Sequence, residues 1–207
     1  MPFAPHNDLS DALAAYRHFL YGHGAARTFS YERYVANDAS GSMTLRNSIL
    51  DAQEAAIQLF QTQVGGTSPA DFAITGTAVG ASGASRHFPY PRTENWQKAI
   101  GAHWIWLSSD IHVRGTGPLF QFGMFFTLHA EDRYNFNPGS MDIATGAPDS
   151  LNGELEVSGL AQQYMNYSTL TRHITWNGLS TGSYDASGSP DRRVRQPSDN
   201  RRLRTRL

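Results

Sequence analysis

Apolar residues recur at helical spacing early in the chain and at strand spacing later. Leu9, Leu13, Tyr16 and Leu20 fall on one helical face, with Ser10 placed as an N-cap and Asp11 after it. Gly22 and Gly24 stop that helix. Residues 21–34, YGHGAARTFSYERY, read as a turn and an irregular link. A second helix starts near Ser42 or Thr44, carries the stripe Leu45, Ile49, Ala52, Ala56 and Phe60, and ends at Gly65-Gly66.

From Asp71 the period changes to two. DFAITGTAVGAS alternates as a strand, with Gly76 and Gly80 as bulges or points of tight curvature. Two long strands, 102–113 and 119–130, are joined by RGTGP as a hairpin, and 169–176 is a last strand. Residues 153–164 read as helical. The order predicts an α+β fold: helices first, then a strongly twisted antiparallel sheet. After Gly178 the chain turns to Ser, Gly, Pro and Arg, so the expected folded domain is 1–178 and the flexible tail 179–207.

Composition narrows the chemistry. Cysteine is absent, which excludes thiol nucleophiles, disulfides and Cys-zinc sites. Residues 191–207 carry seven Arg and two Asp, a net of +5, so the rest of the chain holds −6. That tail reads as solvated, with attraction to phosphates as its functional alternative. The N-terminus shows no basic-then-apolar signal, so delivery by a secretion apparatus or a larger parent protein is expected. No Walker loop, GxSxG elbow or dinucleotide fingerprint is present. The eight His have no metal-ligand spacing; His103 and His112, nine apart on one strand, are predicted to face opposite ways. Trp104, Trp106, Phe120, Phe122, Phe125 and Phe126 read as core and cross-strand partners.

One stretch holds more hydrogen-bonding groups than a turn needs: LHAEDRYNFNPGSMD, residues 128–142. Asp132 and Tyr134 share a face in extended chain, and Arg133 points away. A carboxylate beside a phenol can steer water or a cation while the phenol donates to an oxyanion. The plainer reading is an Asx-type turn over Asn135, Asn137, Pro138 and Gly139, with Tyr134 packed beneath.

Asp132-Arg133-Tyr134-Asn135-Phe136-Asn137 resembles the central motif of the colicin M family of lipid II-degrading bacteriocins, Asp-x-Tyr-Asp-Phe-Asn with His-Arg shortly after. ALAAYRHFLYGHGAARTFSY resembles the start of that family's activity domain, which has a Tyr/Trp-Gly-x-Gly-Ala-x-Arg turn. The likeness spans roughly residues 10–176. It implies a half-open antiparallel β-barrel decorated by helices. It also implies a delivered effector that acts in the periplasm of target bacteria, at the inner-membrane surface. There it would use Mg2+ to hydrolyse lipid II between undecaprenol and pyrophosphate, with an immunity protein as a further partner. The chain departs from the motif where the family's second acid falls on Asn135 and its His-Arg on Met141-Asp142. Asn135 can hydrogen-bond but cannot act as a base. Asp142 is expected to restore the carboxylate and share the metal with Asp132, and Arg172 and His173 to supply a guanidinium and a proton-transfer group.

Two other classes compete. A catalytically degenerate module would bind a lipid-linked precursor, or perturb the membrane, without cleavage. A nucleic-acid binder would work through the Arg tail; the −6 body opposes it. An acid and phenol sealed in the interior, with no opening over them, would leave only a shared shape.

Overall fold

The computed structural model describes residues 9–136 and 150–188, without the side chains of 150–152. The chain order is α1 (Ser10–Tyr21), β1 (Arg27–Thr28), α2 (Tyr31–Asn37), α3 (Ala39–Thr62), β2 (Ala70–Thr75), β3 (Val79–Ala81), α4 (Glu94–Ala99), β4 (His103–Arg114), β5 (Gln121–Tyr134), α5 (Ser150–Val157), β6 (Tyr164–Asn177) and β7 (Asp185–Gly188). The fold class is α+β. One open seven-stranded sheet runs β1-β6-β5-β4-β2, with β3 on β4 and β7 on β6. β2 pairs antiparallel with β4 and β7 with β6; β1 lies parallel to β6, an exception to the predicted antiparallel order. Among the described residues no helix is long and apolar enough to cross a membrane.

The chain divides into two compact units. The first comprises Met1–Gly41, Gly80–Trp104 and Glu131–Ser168. In it α1 begins at Ser10, not after it, and Ser10 is no cap. The backbone N–H groups of Asp11 and Ala12 instead donate to Oδ1 of Asn95 on α4, both at 3.0 Å. A distant amide thus satisfies two of the helix's orphan donors. The predicted apolar face is turned as well: Ala12, Ala15 and Phe19 are buried, and Leu13 is 65% exposed. Small alanines let α1 pack closely on α4, a signal that a stripe of large residues misses.

Two short helices, α2 and α4, were not predicted. Buried Asp38 at the end of α2 ties them together. Its carboxylate accepts from the backbone N–H groups of Ser40, Arg92 and Thr93 and from the Thr93 hydroxyl. Beside it lies an aromatic cluster in which Tyr31, Tyr34 and His103 meet edge to face and Trp96 packs tilted against Tyr34.

The second unit comprises Ser42–Val79, Ile105–Ala130 and Thr169–Leu207. The stripe on α3 is as predicted at Ile49, Ala52, Ala56 and Phe60, all buried. Phe60 packs edge-on against Phe120 and Phe122, and Phe122 stacks on Trp176 at 4.7 Å. Trp106 stacks on His129. The predicted set of paired aromatics therefore holds except for Trp104, which is 54% exposed. His103 is buried and His112 reaches out to Asp71, on opposite faces as the spacing required. The strand boundaries are longer than predicted at both ends of β6. Tyr164, assigned to a helix, opens the strand, and residues 185–188 pair with it beyond the expected limit at 178.

His103 gives a pH prediction. Its Nδ1 lies 3.0 Å from the Gly101 carbonyl, which can only accept, so the proton sits there and Nε2 accepts from the Tyr31 hydroxyl at 3.2 Å. Burial holds the imidazole neutral down to about pH 4. The unfolded chain takes up that proton near 6.5. Unfolded chain therefore binds more protons between 6.5 and 4, and stability falls as pH drops through that window. Denaturant unfolding of wild type and His103→Gln should show a gap that shrinks by roughly 3 kcal/mol from pH 7 to 4. A constant gap would contradict the assignment.

Candidate functional site

The first unit brings together five polar residues from three strands. A tight turn delivers the first. Gly22 follows α1 with no room for a Cβ, which would sit 2.5 Å from the His18 carbonyl, and Gly24 takes a φ of +72°. His18 Nε2 donates to the Ala25 carbonyl at 2.8 Å and braces the turn from α1. The chain then enters β1, whose Arg27 stands in register with Asn166 of β6. Arg27 Nη1 donates to Asn166 Oδ1 at 3.3 Å, and its guanidinium lies close to the Tyr164 hydroxyl.

Asn166 is fully buried. Its carbonyl accepts from Arg27 and its amide nitrogen donates to the Ala99 carbonyl at 3.3 Å, and the amide lies close to the Asp132 carboxyl and the Tyr164 hydroxyl. The Arg133 backbone N–H also lies against the Asp132 carboxyl. Tyr164 donates its hydroxyl proton to the Ala15 carbonyl of α1 at 2.9 Å. Tyr134 stacks on Tyr164, ring centroids 5.0 Å apart and 15° from parallel. Phe19 and Phe136 close around Tyr134.

Asp132 and Tyr134 share the inward face of β5, as the alternation required, with Arg133 exposed between them. They are not displayed to solvent: Asp132 is 8% exposed and Tyr134 9%. Burial dominates the electrostatics. It lifts the Asp132 carboxyl to about 7, against the partial relief from Asn166 and Arg133. A carboxyl that titrates near 7 can both take and release a proton at neutral pH. Burial also raises the Tyr134 and Tyr164 phenols, so both stay protonated.

The remaining predicted residues divide three ways. Asn135 is half-buried just past the end of β5. Asp142, with Asn137 and Met141, lies outside the described residues. Arg172 and His173 belong to the second unit, where Arg172 donates to the Thr171 carbonyl and His173 stacks on Phe125 at 4.7 Å. Sequence reasoning missed Arg27, Tyr164 and Asn166. Arg27 closed a quoted turn motif, Tyr164 was assigned to a helix read too long, and residues 165–168 fell between that helix and a strand read too short.

The described residues do not by themselves fit magnesium. Hard cations want several oxygen ligands. Among the described residues no three His, Cys, Asp or Glu come together, and Asn166's oxygen already accepts from a cation.

The class this defines is an α+β protein with an open sheet and a buried acid–amide–guanidinium cluster at one strand end. No protein-family model and no curated protein matches the sequence. Among solved structures the chain is similar to PaeM, a colicin M-like bacteriocin produced by Pseudomonas aeruginosa. The two share 15% identity with a TM-score of 0.46, over 81% of this chain and 51% of that one. This chain thus spans about half the length of that protein.

The Asp132 environment makes a prediction about stability. Folded Asp132 keeps its proton to about pH 7, whereas an unfolded Asp loses it near 4. Folded chain binds more protons across that range, so this group costs stability as pH rises from 4 to 7. Asp132→Asn should match wild type near pH 4 and exceed it by roughly 4 kcal/mol at pH 8. A pH-independent difference in urea midpoints would contradict the buried carboxyl.

Proposed function

We propose that this chain is a colicin M-like antibacterial toxin domain that hydrolyses a polyprenyl-linked pyrophosphate, lipid II or a close relative, at the envelope of target bacteria. One observation carries the reading. The two stretches that resemble the family, residues 21–27 and 132–137, are more than a hundred residues apart in sequence, yet Arg27 hydrogen-bonds Asn166 and the Asp132 carboxyl lies against the same side chain. Such a meeting is what a site shared by the two stretches requires.

The chemistry asked of these residues is modest. Asp132 accepts a proton from a water, and the water oxygen attacks the phosphorus that bears the prenyl oxygen. The bond from that phosphorus to the prenyl oxygen breaks, and the leaving oxygen takes up the proton that Asp132 has just accepted, so the prenol departs neutral and Asp132 is returned to its carboxylate. The Tyr134 phenol donates to the charge that grows on the phosphoryl oxygens. Asn135 contributes hydrogen bonds only. Mg2+, if bound, would neutralise phosphate charge, with Asp132 and Asp142 as its proposed ligands; Arg172 and His173 remain proposed contributors. Delivery to the periplasm and an immunity partner belong to the same proposal.

A second reading has its own support in the burial of Asp132 and Tyr134. A degenerate module would keep the cluster as core and bind its lipid without cutting. Labelled lipid II incubated with protein and magnesium, manganese or calcium separates the two. Hydrolysis predicts free undecaprenol, and Asp132→Asn lowers the rate by about 100-fold or more. No release from wild type at high protein concentration with any of these cations excludes the reaction. Expression with and without an export signal in a sensitive bacterium adds the location: lysis only on export fits an envelope target.

A further inference from the structure

Arg27 is held unlike its neighbours. Arg33 pairs with Asp11, Lys98 with Glu94 and Arg114 with Asp71. Arg27 has no carboxylate within ion-pair distance among the described residues; the groups that hold it are an amide oxygen and a phenol oxygen, both neutral. A guanidinium has five N–H donors in a rigid fork, and acceptors among the described residues take few of them. The side chain is half-buried, so its charge is partly stripped of water with no carboxylate counter-charge among the described residues, a costly arrangement.

Its orientation is fixed from several sides. Asn166 cannot turn its carbonyl away without breaking its own bond to Ala99. Tyr164 spends its proton on the Ala15 carbonyl, so only its lone pairs face Arg27. β1 sets the Arg27 backbone opposite Asn166. This is how a fork is kept pointing at one spot before its ligand arrives. The Tyr134 ring lies flat against Tyr164, whose hydroxyl holds Arg27, and no described residue hydrogen-bonds the Tyr134 hydroxyl.

We propose that Arg27 is the anion anchor of this site: its free N–H groups, together with the Tyr134 hydroxyl, take the oxygens of a phosphate or diphosphate. Asn166 and Tyr164 are positioning residues that aim it. The proposal rests on the reading that the cluster handles a phosphorylated ligand, and it adds which residue recognises the charge. Forked guanidinium-to-phosphate contacts are among the strongest and most directional that a protein makes. Lysine cannot replace the fork, because its charge is a point on a flexible stem.

Titration of the full chain with inorganic pyrophosphate, followed by calorimetry, tests this. The solution should hold about 0.3 M salt, which screens the Arg-rich tail. Wild type should bind, Arg27→Gln should weaken binding roughly 10- to 100-fold, and Arg27→Lys should fall between. Arg133→Gln, on the outward face of the same strand end, should bind as wild type does. Thermal unfolding confirms that each variant is folded; if Arg27→Gln does not fold, Arg27→Lys carries the comparison alone. Equal affinity in wild type and a folded Arg27 variant overturns the proposal, as does wild type that binds no pyrophosphate. The outcome is separable from lipid II cleavage. Arg27-dependent binding without cleavage leaves the anchor standing and removes the hydrolase. Cleavage with an unchanged KM in Arg27→Gln does the reverse.

Discussion

A carboxyl group at the inward end of β5 must find hydrogen-bond partners or stay protonated, and here it does some of both. The partner is a single buried amide. Asn166 accepts from Arg27, donates to the Ala99 carbonyl and lies against the Asp132 carboxyl. Remove that amide and half-buried Arg27 and the buried Ala99 carbonyl lose a partner at once, each at about 1–3 kcal/mol, and Asp132 loses its polar neighbour. An aspartate in its place would repel Asp132; a leucine would leave Arg27 with only Tyr164. The local arrangement of β1, β5 and β6 is written around what one carboxamide can satisfy.

This dependence explains features that look unrelated along the chain. β1 is two residues long and gains almost nothing as a strand, yet it sets Arg27 opposite Asn166. The turn before it holds a glycine with no space for a Cβ, which would meet the His18 carbonyl. α1 supplies the Ala15 carbonyl that orients Tyr164 and the Phe19 ring that covers Tyr134. Burial then fixes the protonation states: phenols that keep their protons and a carboxyl poised near neutrality. These are the ingredients of phosphoryl chemistry, and they are equally the ingredients of a satisfied polar core. What separates the two readings is whether a ligand reaches the cluster.

The sequence carried the sheet and the pair at its end because both depend on period two. Asp132 and Tyr134 must share a face if β5 continues to residue 134, and it does. The α3 stripe was equally legible, since large apolar residues at helical spacing leave little choice. α1 was misread for the opposite reason: its buried face is mostly alanine, and Leu13 on the other face is the louder signal. The cap from Asn95 could not be seen, because the donor and acceptor lie 83 residues apart in sequence. Arg27 and Asn166 were invisible as a pair for the same reason: a parallel pairing between a two-residue strand and the start of another leaves no local trace. Asp142 stays an expectation outside the described residues.

The central claim is that Arg27 and Asp132 are coupled through Asn166, and a double-mutant cycle measures that coupling directly. Urea unfolding of wild type, Arg27→Gln, Asp132→Asn and the double variant, at pH 8, gives the interaction energy. A coupling above about 1 kcal/mol, which disappears when the cycle is repeated in an Asn166→Ala background, is the predicted result. Effects that add to within roughly 0.5 kcal/mol with Asn166 intact would mean the two stretches merely lie near each other, and would contradict the account.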